Sequence, residues 1–117
     1  MSGSVSYHAG LAAEQQVAAA YAQRGFPPCR KRWRGKGGEV DLIAEDGEGL
    51  IFVEVKRARD FARAAERLTY RQMGRIMQAA SEFLDQMPRG QNTAVRFDVA
   101  LVNGSGAVEI IENAFGH

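Results

Sequence analysis

Two strand-like runs in GEVDLIAEDGEGLIFVEVKR, residues 38–57, carry Glu39, Asp41, Glu54 and Lys56 where a packed sheet would hold apolar side chains. The tetrad DGEG at 46–49 is turn-forming, so the two runs read as a hairpin closed by a four-residue loop. With Glu45 opposite Leu50, the register sets Asp41 against Glu54 and Glu39 against Lys56. Opposed strand residues have Cβ atoms about 4.5–5.5 Å apart, where like charges repel. Two carboxylates half-buried together also lose hydration, so either one is protonated or a cation stands between them. Mg²⁺ answers that demand, since one or two carboxylates hold it while water and phosphate oxygens complete its shell. Lys56, on the face of Glu54, can then orient a water or offset charge developing on a phosphate. Acid, acid and lysine on one sheet face suit metal-assisted phosphodiester hydrolysis. The same spacing also fits a Glu39–Lys56 ion pair at an exposed sheet edge with Asp41 solvated.

The elements that must position these groups can be read along the chain. Val5 to Arg24 is Ala-rich and ends in RGFPP, a helix stopped by glycine and proline. Residues 29–34 read as an edge strand or extended arm, and GKGG as a flexible connector. Strands are predicted at 39–45 and 50–56, one long helix at 62–87, and two further strands in TAVRFDVALV and AVEIIEN, joined at NGSG. Alternation puts Val40, Leu42 and Ala44 on one face of the first hairpin strand, with Glu39, Asp41 and Ile43 on the other. In the second strand Ile51, Val53 and Val55 oppose Leu50, Phe52, Glu54 and Lys56. That pattern predicts a sheet of four or five strands, of α/β class, covered by helices on both sides and carrying a polar notch. Met73, Ile76, Ala80, Phe83 and Met87, three and four apart, are core positions of the long helix.

Net charge is only +1, but 13 of the 15 Lys and Arg lie between residues 24 and 75, with 8 of the 14 acids. Arg59, Arg63, Arg67, Arg71 and Arg75 recur every fourth residue, so on one helix they would wind along one side as a basic stripe headed by Lys56 and Arg57. Such a stripe neutralises phosphates with little sequence preference. Arg32, Arg34 and Lys36 in CRKRWRGKGG form a second basic patch around Trp33, whose indole is expected to pack on the sheet edge rather than stack on a base. The GKGG lacks the spacing of a phosphate-binding loop.

At these residues the sequence resembles the PD-(D/E)XK nuclease superfamily: an Asp, then Glu-x-Lys at the end of the next strand. Taken with RFDVALV and the closing ENAF, it is similar to the YraN-like family of small endonuclease-like proteins, relatives of archaeal Holliday-junction resolvases, over about Ala9 to Phe115. The resemblance implies a restriction-endonuclease-like mixed sheet flanked by helices, in a single nuclease-like domain over 1–117. It implies Mg²⁺ or Mn²⁺ held by Asp41, Glu54 and the Val55 carbonyl, with Lys56 as the catalytic lysine. Glu14, in AGLAAEQQVAAAY, matches a glutamate that resolvase-like members bring from the first helix, and it shares a helix face with Val17, Ala18 and Tyr21. Glu39 and Gln72 are accessory candidates. DNA, branched DNA among its forms, is the implied substrate, and a homodimer one implied assembly. The chain departs from the family pattern at Arg32, where Asn is common, at Ala58, where Arg is, and at Gln72, where Lys is.

At 117 residues there is room for one core. One cysteine, Cys29, offers no internal disulfide or thiolate metal site and fits a reducing compartment. No apolar run approaches the roughly 20 residues of a membrane span, nor does the start read as a leader, so a cytoplasmic place is expected. His8 and His117 have no partner motif. Two functions remain open: a metal-dependent DNA endonuclease, or a non-catalytic nucleic-acid-binding module that keeps the fold. A plain interaction domain is a third class, should the resemblance be accidental.

Overall fold

The structure, a computed structural model, describes the backbone of residues 3–116 and side chains from Ala9 to Gly116; the side chain of His8 and all of His117 lie outside the described residues. Helix α1 (Gly3–Gln23) leads into β1 (Pro28–Arg34), β2 (Glu39–Asp46) and β3 (Gly49–Arg57). Then follow α2 (Phe61–Glu66), α3 (Tyr70–Leu84), β4 (Val95–Val102) and β5 (Val108–Phe115). The strands form one mixed sheet in the order β1-β2-β3-β4-β5. Only β3 and β4 run parallel, and the α2–α3 segment supplies the crossover that a parallel pair requires. This is the α/β, restriction-endonuclease-like arrangement: a five-stranded mixed sheet flanked by helices.

The two faces have separate cores. Ala13, Val17, Ala18 and Tyr21 of α1 bury against Leu42, Ala44, Ile51, Val53, Ala100 and Val102. Ile76, Ala79, Ala80, Phe83 and Leu84 of α3 bury against Ile43, Leu50, Phe52, Phe97, Val99 and Leu101. Across that second face Trp33, Phe83, Phe52, Phe97 and Phe115 make a chain of aromatic contacts with centroids 5.2–6.1 Å apart. Trp33 is thus a packing residue, as the sequence suggested. Helix α1 ends in a Schellman turn, with Phe26 N–H donating to the Tyr21 carbonyl (2.9 Å) and Gly25 at φ +85°. Among the described residues, no helix is long and apolar enough to cross a membrane.

Two local expectations change. The hairpin turn is shorter than the DGEG tetrad implied, because Asp46 pairs with Gly49, yet the register is the expected one. The long helix is two helices. Thr69 and Gln72 close a capping box in which each side chain accepts the other's backbone N–H at 3.1 Å, so a new helix starts at Tyr70.

Candidate functional site

β2 and β3 pair from the turn down to Leu42–Val53 and then separate. Beyond that point β2 stays with β1, as far as Glu39 opposite Arg34, and β3 stays with β4, as far as Arg57 opposite Val102. The sheet therefore forks at Asp41. The Asp41 carboxylate enters the fork, and its Oδ2 accepts the Val55 N–H at 2.8 Å, standing in for the strand partner that β3 has lost there. Alternation breaks at the same residue: Leu42 and Ala44 belong to the α1-side core as predicted, but Val40 joins the α3-side core with Ile43. On β1, at the level of Asp41, Arg32 holds a left-handed φ of 52°, a conformation that Asn tolerates better than Arg. Gly38 seats the start of β2 against α3, since a Cβ there would come within 2.8 Å of the Arg75 carbonyl oxygen.

The fork brings Asp41, Glu54 and Lys56 together. Glu54 is 9% exposed, and its Oε2 lies 3.0 Å from the Lys56 ammonium. Burial, then the Glu54 carboxylate beside it and a hydrogen bond with Glu54, push the Asp41 carboxyl up to about 7. The Val55 N–H and Lys56 pull the other way and are outweighed. Near neutrality the Asp41 carboxyl thus stands close to the point of taking up a proton beside the Glu54 carboxyl, with one ammonium alongside. Hard oxygen donors in a partly buried pair that lacks full charge compensation fit a divalent cation such as Mg²⁺ or Mn²⁺. Among the described residues, no group of three or more His, Cys, Asp and Glu side chains is placed to hold a metal, so protein carboxylates at this point number two.

The other candidates are distributed differently. Glu14 accepts from Arg32 Nε at 2.7 Å, and the two line a small cleft of about 160 Å³ with Asp41. Glu14 is therefore a neighbour of Asp41 whose charge is already engaged. Glu39 pairs with Arg34 at 3.3 Å instead of Lys56, because the fork carries residues 39 and 56 onto different strand pairs. Gln72 is held by its capping box, while its side also lines a cleft of about 500 Å³ with Glu54, Glu39, Lys36 and Arg75. A cleft of about 870 Å³ on the α1 side collects Lys56, Arg57, Arg59 and Arg67 around the 103–106 turn. The predicted arginine stripe is thereby divided: Arg59 precedes α2, Arg63 pairs with the N-cap Asp60, Arg67 caps α2, and Arg71 and Arg75 sit on α3. The segment 54–56 lies between two basic clefts rather than at the head of one stripe.

Two carboxylates escaped the sequence reading. Glu82 accepts the N–H groups of Lys36 (2.8 Å) and Gly37 (2.9 Å), so GKGG is pinned to α3 instead of swinging freely, and those bonds hold the Glu82 carboxyl below its usual range. Asp98 is fully buried and accepts from Tyr21 Oη (2.6 Å), Arg96 Nε (2.8 Å), Arg96 Nη2 (2.9 Å) and Asn113 N (2.9 Å). A lone Asp inside RFDVALV, with Arg two residues before it on the same strand face, was the available signal.

Comparison with known proteins bears on the whole chain. Residues 13–102 match the family described as "Uncharacterised protein family UPF0102". A UPF0102 protein of Ruegeria pomeroyi is 57% identical, over 98% of this chain and 94% of the relative. One from Cereibacter sphaeroides is 61% identical, over 98% of each. Another, from Roseobacter denitrificans, is 46% identical over 96% of this chain and 87% of its own length. The chain belongs to the UPF0102 family, that of the YraN-like proteins.

Proposed function

We propose that the protein is a metal-dependent endonuclease of the PD-(D/E)XK kind, hydrolysing DNA phosphodiester bonds. The observation that carries this reading is the buried Asp41–Glu54 carboxyl pair in the sheet fork, with the Lys56 ammonium 3.0 Å from Glu54. Asp41, Glu54 and the Val55 carbonyl would hold Mg²⁺ or Mn²⁺. When bound, the cation would supply charge to polarise the phosphodiester and acidify a water. The chain's own residues do the rest. The Val55 N–H fixes the Asp41 carboxylate in the fork. Lys56, 3.0 Å from Glu54, offsets part of the negative charge there and would orient the attacking water or steady charge on the phosphate. Arg57, Arg59 and Arg67 on one side, and Lys36 and Arg75 on the other, offer cations to the backbone of a bound strand.

A second reading, a nucleic-acid-binding module without efficient catalysis, draws support from Glu14: its pairing with Arg32 leaves two carboxylates where a fuller donor set would serve a metal better. Linear, single-stranded, flap and four-way DNA incubated with Mg²⁺ or Mn²⁺ separates the two. Metal-dependent cleavage should fall at least about a hundredfold in Glu54→Gln, the scale of removing one preorganised charge from a transition-state site. Cleavage that persists in that variant indicts a contaminant. Binding without cleavage on every substrate establishes the second reading.

A further inference from the structure

The aromatic side chains of the α3 face are consumed by packing, and Tyr21 is fully buried with its hydroxyl on Asp98. Tyr70 is the opposite case. As the first residue of α3 it is 89% exposed, far more than Met77, Val95 or Ile111, the other exposed large hydrophobic side chains among the described residues. It joins neither core cluster. It also occupies the link between the two basic clefts: Arg67, three residues before it, lines the cleft of Lys56, and Gln72 and Arg75, just after it, line the cleft of Glu54.

Gly74 adds a second observation. It sits in the interior of α3, an exposed position, and its backbone is not in the left-handed region. A Cβ built there meets nothing within 4 Å, so neither conformation nor packing calls for glycine, although glycine is among the poorest helix formers. Residues four apart on a helix are neighbours, and a side chain at 74 would lean toward the N-terminus, over Tyr70. Its absence leaves the helix surface next to position 70 without a covering side chain, with Arg71 and Arg75 exposed on the same turns of α3.

We infer that Tyr70 is a stacking platform for an unpaired nucleobase, left open by the bare Gly74, with the exposed Arg71 and Arg75 farther round the same helix to meet the adjoining phosphates. A base in an intact duplex has both faces stacked and cannot use such a platform, so the inference narrows the DNA ligand to one with unpaired bases. It rests on the nucleic-acid reading above, but not on catalysis.

The test is binding in EDTA, where a metal-dependent nuclease cannot cut. A single-stranded oligonucleotide carrying 2-aminopurine and a blunt duplex of the same length are titrated with the wild-type protein and with Tyr70→Ala, Tyr70→Phe and Gly74→Leu. Wild type should bind the single strand and quench its fluorescence by stacking. Tyr70→Ala should weaken single-strand binding by about five- to hundredfold, the range for one base stacked on an aromatic ring, and abolish the quench, leaving duplex binding within about twofold. Tyr70→Phe should keep both. Gly74→Leu should lose the quench while the protein melts no earlier, because leucine is the better helix former. Wild-type single-strand affinity and quench retained in Tyr70→Ala would overturn the inference alone, as would equal losses on both DNAs. Failure of the wild type to bind any DNA would overturn the nucleic-acid reading and this inference with it.

Discussion

Asp41 and Asp98 are both aspartates on inner strands of the sheet, and both accept a backbone N–H where strand pairing is irregular. Asp41 takes the Val55 N–H at the β2/β3 fork. Asp98 takes the Asn113 N–H where the β4/β5 register shifts and Asn113 turns to φ 51°. Their surroundings then diverge. Asp98 receives two bonds from the Arg96 guanidinium and one from Tyr21, so its charge is answered in place. Arg96 is in turn held above its ordinary value, first by its hydrogen bonds to Asp98, and burial with the Asp98 partner raises Tyr21. Asp41 meets a second carboxyl, and one N–H and one shared ammonium do not compensate both. A satisfied buried acid is structural. An under-compensated one is a place where a proton or a cation binds.

The comparison can be broken most forcefully at Asp98. Asp98→Asn removes the charge of a fully buried carboxylate and disturbs four hydrogen bonds, while the part-buried Arg96 keeps Glu112 (3.3 Å) and Asp46 (3.9 Å) as charged partners. Urea unfolding should therefore show a loss of about 3–5 kcal/mol, the scale of removing one partner from a buried, hydrogen-bonded charge pair. A loss under about 1 kcal/mol would mean that the hydrogen bonds to Asp98 contribute little to holding α1, β4 and β5 together.

Asp41→Asn should act in the opposite direction. In the wild type without divalent cation, the folded-state pKa of about 7 exceeds the ordinary 3.8, so the folded protein binds this proton more tightly than the unfolded chain. That contribution is complete below about pH 4 and is lost as pH rises through about 7. The neutral amide can still accept from Val55 and cannot ionise, so above pH 7 in EDTA the variant should be more stable than wild type by roughly 1–3 kcal/mol, each pK unit being about 1.4 kcal/mol. Thermal melts from pH 4 to 8 should slope downward for wild type and much less for the variant. Stability that instead rises with pH over this window would contradict the strained pair. Under the nuclease reading, the same substitution removes cleavage while raising stability.

Tyr21→Phe is the mildest probe. It takes one donor from Asp98 and leaves Arg96 and Asn113 in place, so a loss of about 1–2 kcal/mol is expected by denaturant melts. No change would show that the guanidinium alone satisfies the carboxylate.

Much of this was legible without coordinates. The hairpin register followed from period-two alternation and a Gly-containing turn, both local, and shortening the loop left it intact because both ends moved together. Val17, Ala18 and Tyr21 of α1 and Ile76, Ala80 and Phe83 of α3 were legible as inward residues from spacings of three and four, whereas Met73 and Met87 are only partly buried, Met87 lying beyond the end of α3, and Ala79 and Leu84 complete the buried face. The break at Thr69 is written in the sequence as T-x-x-Q, but the segment reads as one helical pattern over 62–87 unless that capping signal is given its weight.

By itself, then, the sequence determined the elements, the two-sided burial of the sheet and the proximity of Asp41, Glu54 and Lys56, since neighbouring residues and a short turn suffice for these. Tertiary structure decided what those carboxylates do. β2 also pairs with β1, and β3 with β4, and no local pattern states that both outer pairings continue where the inner one stops. That competition opens the fork and turns Asp41 into the lost strand partner. It also separates Glu39 from Lys56, and the outer strands give Glu39 to Arg34 and Glu14 to Arg32. The role of Asp98 was hidden for the same reason: Tyr21 and Asn113 stand far from it in sequence and meet it only once the sheet and α1 are assembled.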